Sequence, residues 1–130
     1  MEDIRWKQRF QNFDKAFSML SEFMARGDLN KFEEQGLVQC FEYTFELSWK
    51  TMKDYLELSG FSVKSPRETI QTAFQNGMIA DGHTWIDALD KRNIMAHTYN
   101  ETTAREAVDL IRTKYFLLLK HLHDLLEKEC

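Results

Sequence analysis

The chain of 130 residues is 43% apolar and 13% aromatic with one proline, which fits an ordered helical protein and excludes a disordered one. That length is enough for one hydrophobic core and reads as a single domain over residues 1–130. A net charge of −4 excludes a broad electrostatic footprint for nucleic acid, so any RNA contact must be local.

Cys40 and Cys130 lie far apart without metal-ligand spacing, which points to a reducing compartment. The start, Met1-Glu2-Asp3-Ile4-Arg5, is charged, and no stretch approaches ~20 apolar residues. A cytoplasmic protein with no membrane contact is expected.

Trp6, Phe10, Phe13, Phe17, Leu20 and Met24 step by four and three, which predicts a first helix of about six turns. Gly27 stands where it should stop, and Asp28 or Asn30 can cap the next. A second helix is predicted from about Lys31 to Ser59, with Val38, Phe41, Phe45, Trp49, Met52 and Leu56 as its apolar stripe and Gly60 as its end. Beside that stripe run Glu42, Glu46, Lys50 and Lys53, with Glu46 and Lys50 in the favourable i,i+4 order.

Ser65-Pro66-Arg67-Glu68 starts a short helix: serine caps, proline takes the first position and Glu68 can close a capping box. It runs through Ile70, Ala73 and Phe74 to Asn76-Gly77. Another short helix is expected from Thr84 to about Met95, turning Trp85, Ala88 and Leu89 inward. The last long helix is predicted to begin at Thr103, with Glu106 completing a second capping box. Ala104, Val108, Ile111, Tyr115, Leu118, Leu122 and Leu125 form its stripe. The fold class is therefore all-α: an antiparallel up-and-down bundle of three long and two short helices.

Chemistry concentrates in Arg92-Asn93-Ile94-Met95-Ala96-His97-Thr98-Tyr99, an R-x4-H-x-Y pattern. A guanidinium can hold a phosphate through two parallel hydrogen bonds, and an imidazole can move a proton on or off a hydroxyl. Residues five apart on a straight helix stand roughly 140° apart, so Arg92 and His97 would diverge unless the helix ended between them. The residues after Met95 are poor helix formers, and such an ending is expected to gather Arg92, His97 and Tyr99. The alternative at this point is that Arg92 pairs with a carboxylate near the end of its helix while His97 and Tyr99 pack an ordinary loop.

Further features carry a resemblance. In order along the chain stand Phe41-Glu42-x3-Glu46-Leu47-x-Trp49-Lys50, Ser65-Pro66-Arg67-Glu68, Ala73-Phe74-x2-Gly77, Asp81-Gly82-x2-Trp85 and Arg92-Asn93-x3-His97-Thr98-Tyr99. With them the chain resembles the HEPN superfamily, and within it the HepT-like, nucleotidyltransferase-substrate-binding branch, over nearly its whole length. The resemblance implies that Arg92 and His97 are the catalytic pair of an RNase that needs no metal or other cofactor. It implies that Tyr99 accepts AMP from a separate minimal nucleotidyltransferase acting as antitoxin. It also implies a homodimer with the motifs facing a shared cleft, and RNA, tRNA included, as substrate. An alternative within the same branch is a noncatalytic subunit that holds a nucleotide or other substrate for a catalytic nucleotidyltransferase partner.

Metal-free RNA cleavage needs a base for the ribose 2′-hydroxyl, a cation for the phosphorane and an acid for the leaving oxygen. His97 suits the base and Arg92 the cation; a second chain could supply another His97 as the acid. Asn93, Glu42 and Glu46 are supporting candidates, the two glutamates either orienting Arg92 or His97 or facing solvent against Lys50 and Lys53. His121 and His123, two apart on a helix, point to different faces and are expected as solvated surface residues rather than a metal pair. No glycine-rich phosphate loop or paired aspartates occur, which excludes the nucleotidyl-transferring subunit itself.

Overall fold

Periodic apolar residues become helices throughout, and each helix boundary has a local cause. The computed structural model describes residues 2–97 and 100–130, without the side chains of residues 2, 3, 97 and 101. The helices are α1 (Glu2–Ala25), α2 (Lys31–Leu58), α3 (Pro66–Gln75), α4 (Gly82–His97), α5 (Glu101–Leu110) and α6 (Phe116–Lys128). A π-helical turn over Ile111–Tyr115 joins α5 to α6 without a break, making the third long rod. No strand occurs among the described residues.

Asn30, not Asp28, caps α2: its side chain accepts from the Phe32 and Glu33 N–H groups, and Glu33 closes the box on the Asn30 N–H at 2.9 Å. Ser65 caps α3 as expected, but the Glu68 carboxylate reaches one residue further back, to the Lys64 N–H at 2.7 Å. Asp81 caps α4 through the Thr84 N–H and hydroxyl. The start expected at Thr103 lies two residues earlier. Asn100, in extended conformation, caps α5 and takes the Thr103 N–H at 2.8 Å, so Thr103 is the third helical residue rather than the cap.

Contacts fix the directions of the rods. The start of α1 meets the end of α2 through Arg9 and Asp54, while the end of α1 meets the start of α2 through Arg26 and Glu33. Asp14 of α1 meets His123 and Phe17 meets Phe116, so α1 also opposes α6. Asp87 of α4 meets Tyr115, and Trp85 packs on Phe45 of α2 at 5.7 Å. Together α1, α2, α4 and the C-terminal rod form an antiparallel helical bundle, with α3 set between α2 and α4. Gly82 lets α3 and α4 close up, since a Cβ there would sit 2.9 Å from the Phe74 ring.

The core holds Trp6, Phe13, Phe41, Phe45, Met52, Ile70, Trp85 and Tyr115, all 2% exposed or less. Thr44, Ser48 and Thr51 are buried on α2, and each satisfies its hydroxyl on a carbonyl three or four residues back. Asp54 is buried too, answered by Arg9 Nε at 3.0 Å and Arg5 Nε at 3.7 Å.

The π turn corrects the expected C-terminal stripe. The Phe116 N–H bonds to the Ile111 carbonyl, five residues back, so one extra residue is spent in that turn. Beyond it Leu118 and Leu122 stay buried as expected, and the inward face widens by one position: Leu119, His123 and Leu126 also face inward, while Leu125 is 38% exposed. His123 is consequently buried rather than solvated, and of the two only His121 lies on the surface. Among the described residues no helix is long and apolar enough to cross a membrane.

Candidate functional site

Trp85, Ala88, Leu89 and Met95 form the buried stripe of α4, and Arg92 occupies the position of that stripe between Leu89 and Met95. Its stem therefore runs against the bundle while its head reaches α2. Arg92 Nη2 donates to Glu46 Oε2 at 2.8 Å, with the two side chains 26% and 30% exposed. Nη1 donates to Asn93 Oδ1 at 3.3 Å. Nε is buried and has no hydrogen-bond partner among the described residues.

Glu46 gathers three donors: Arg92, the Trp49 indole N–H at 3.0 Å and Lys50 Nζ at 3.3 Å. Burial pushes its carboxyl up, but the Trp49 hydrogen bond and the Arg92 and Lys50 charges outweigh this and hold it below the usual carboxylate range. One turn earlier, Glu42 behaves oppositely: burial raises its carboxyl against the attraction of Arg92. Two carboxylates on one helix face are thus pushed apart, one kept as a firm anion and the other closer to holding a proton. Lys53 does not answer them; it pairs with Glu57 at 2.9 Å.

The expected helix end between Arg92 and His97 is absent. The backbone stays helical through His97, and α5 is capped by Asn100, leaving no room for a longer connection. Five residues of continuous helix put the two backbone positions about 7.5 Å apart along the α4 axis. The His97 side chain, Thr98 and Tyr99 lie outside the described residues. Of the sequence-derived candidates, the fold brings together Arg92, Asn93, Glu46 and Glu42.

Trp49 is the site residue whose role periodicity missed, although its i,i+3 spacing from Glu46 was visible. On α4, Asp87 accepts a hydrogen bond from the buried Tyr115 phenol and pairs with Lys91 at 3.5 Å; Asp90 pairs with Arg67 of α3 at 2.8 Å. These ties hold the α4 segment carrying Arg92. Beside it, Lys91, Ile94, Met95, Thr103, Glu106 and Leu110 line a cleft of about 260 Å³ between α4 and α5.

This fold belongs to a defined class. A family model described as nucleotidyltransferase substrate binding protein like matches residues 8–128, and the chain belongs to that family. It is 30% identical over 107 residues to a Haemophilus influenzae protein named "Probable ribonuclease HepT", covering 70% of this chain and 73% of that one. A crystal structure of a Thermus thermophilus protein superposes with a TM-score of 0.77 at 32% identity, covering 89% of this chain and 97% of the other. The chain is thus a member of the HepT-like, nucleotidyltransferase-substrate-binding branch of the HEPN superfamily.

Proposed function

We propose that this chain is the metal-independent endoribonuclease of a toxin–antitoxin pair, with Arg92 and His97 as catalytic residues. The observation that carries this reading is the state of Arg92, an arginine on a buried stripe, fixed by Glu46 and retaining a buried Nε with no partner among the described residues. A guanidinium so placed is preorganised for a phosphate oxygen, and exchanging the long Asn93 contact frees its second face.

His97 takes the proton from the ribose 2′-hydroxyl, the 2′-oxygen attacks phosphorus, and Arg92 neutralises the phosphorane. The 5′-oxygen leaves with a proton from an acid, so the products are a 2′,3′-cyclic phosphate and a 5′-hydroxyl. Each copy supplies its Arg92 and His97 to sites shared with the opposite residues of a second copy, and the working unit is a homodimer. Tyr99, two residues beyond His97, is the acceptor through which a separate minimal nucleotidyltransferase silences the site with AMP. The added AMP brings negative charge and bulk that oppose a phosphate-bearing substrate.

A second reading is favoured by the family description: a noncatalytic subunit that holds a nucleotide for a nucleotidyltransferase partner. Expression of the chain alone in bacterial cells, beside Arg92→Ala and His97→Ala, separates the two. Growth arrest with RNA cleavage in the unmutated form alone supports the toxin. Normal growth with intact RNA in all three, each soluble, supports the binding subunit.

A further inference from the structure

Where α1 meets α6, three metal-ligating atoms converge in residues that the proposed nuclease does not use. Asp14 of α1 and His123 and Glu127 of α6 each offer one ligand atom, all within 4.8 Å of one another. His123 is the fixed member. Its ring is 7% exposed, stacks on Phe17 at 4.6 Å, and is flanked by Phe10 at 5.3 Å and Phe13 at 5.9 Å. The carboxylates are the adaptable members: the Asp14 side chain is 46% exposed and Glu127 lies on the surface. His123 and Glu127 are four apart on a helix, the spacing at which two side chains share one face.

Two further observations point to a cation. His123 Nε2 lies 2.6 Å from Asp14 Oδ1, and its Nδ1 lies 3.3 Å from Asp124 Oδ1. A neutral imidazole carries one N–H and answers only one of two carboxylates. With the proton on Nδ1 toward Asp124, the Nε2 lone pair faces Asp14 and Glu127, the arrangement in which an outer carboxylate orients a metal-bound histidine. Asp124 is itself paired with Lys120, at 2.8 Å. The π turn at Ile111–Tyr115 is what rotates His123 inward to this position, and such turns recur at functional sites.

We infer that Asp14, His123 and Glu127 form a site for a divalent transition ion of the zinc type, which staples α1 to α6. One nitrogen and two oxygens suit Zn²⁺, with solvent completing four-coordination on the exposed side. Ligand atoms of tetrahedral zinc stand about 3.3 Å apart, so Asp14 swings outward by a few tenths of an ångström while the histidine stays put. The ion ties the first helix to the last and so stabilises the bundle, independently of RNA chemistry at α4.

The test titrates the metal-stripped full chain with ZnCl₂ and reads both uptake and thermal midpoint. The site predicts one Zn²⁺ per chain and a midpoint raised by about 5 °C or more at saturation. Asp14→Asn and Glu127→Gln, both at accessible positions, each weaken uptake at least tenfold, and His121→Ala leaves it unchanged. His123→Gln, if folded by circular dichroism, abolishes it. Absence of uptake by the folded wild type, or equal uptake by Asp14→Asn and Glu127→Gln, overturns the site.

Discussion

The bond between Glu46 and Arg92 allows the sharpest energetic prediction, because it links α2 to α4 at the centre of the candidate site. Glu46→Gln keeps the shape of the side chain and its ability to accept from Trp49, but removes the charge that Arg92 and Lys50 answer. A fully desolvated hydrogen bond to a charged group is worth about 1.5–3 kcal/mol, and an exposed ion pair about 0–1 kcal/mol. With the partners 26% and 30% exposed, the pair sits between these limits, and solvent screening lowers the expectation to about 1–1.5 kcal/mol. A double-mutant cycle with Glu46→Gln and Arg92→Met, followed by urea unfolding, should recover a coupling of that size. For a chain of this length the single substitution lowers the thermal midpoint by roughly 3–7 °C.

The sign with pH is also determined. The folded Glu46 carboxyl lies below its ordinary value of 4.5, so its contribution is present above that value and is lost as pH falls through the lowered one. The gap between wild type and Glu46→Gln should close on acidification. A coupling below about 0.3 kcal/mol, or a gap that widens toward acid, would refute the assignment of Glu46 as the anchor of Arg92.

Other expectations follow from the same packing. Burial and the Asp87 hydrogen bond push the Tyr115 phenol well above its usual 10, so its stabilisation is complete below pH 10 and is lost as pH rises beyond it. Tyr115→Phe should flatten that alkaline loss and cost about 1–2 kcal/mol at neutral pH, read by thermal unfolding across a pH series. Asn30→Ala removes the side-chain half of the α2 capping box, the acceptor for the Phe32 and Glu33 N–H groups, and should cost about 1–2 kcal/mol in urea unfolding, whereas Asp28→Ala, two residues away and not the cap, should be nearly silent.

How much could be read from the chain depended on whether a cause was local. The stripes of α1 and α2, the Ser65-Pro66 start and the inward Trp85 all follow from side-chain spacing, which records a helix face directly. The π turn leaves no such record: Ile111 and Tyr115 fit an ordinary four-residue step, and only the burial of Leu119, His123 and Leu126 beyond it reveals the added residue. That single shift also explains why His123 was misplaced on the surface. At the other end of α4, weak helix formers after Met95 suggested a stop, but a capping asparagine at 100 and the packing of Met95 carry the helix on to His97.

The candidate site was legible as residues and not as an arrangement. Glu46 and Arg92 are 46 positions apart, so spacing left open whether the glutamate met the arginine or the lysines; the fold gives it both Arg92 and Lys50. Asp14 and His123 stand 109 positions apart and belong to no shared motif, which is why the α1–α6 cluster had no sequence signal at all.

The proposed ribonuclease requires Arg92 and His97 to act together across two copies of the chain. The most direct measurement incubates purified Arg92→Ala, purified His97→Ala, an exchanged equal mixture of the two, and the wild type with RNA in the presence of a chelator. The account predicts 2′,3′-cyclic phosphate ends from the wild type, none from either variant, and about a quarter of the wild-type rate from the mixture, since half the dimers regain one of two sites. Intact RNA with folded wild-type protein, or cleavage that survives His97→Ala, would contradict it.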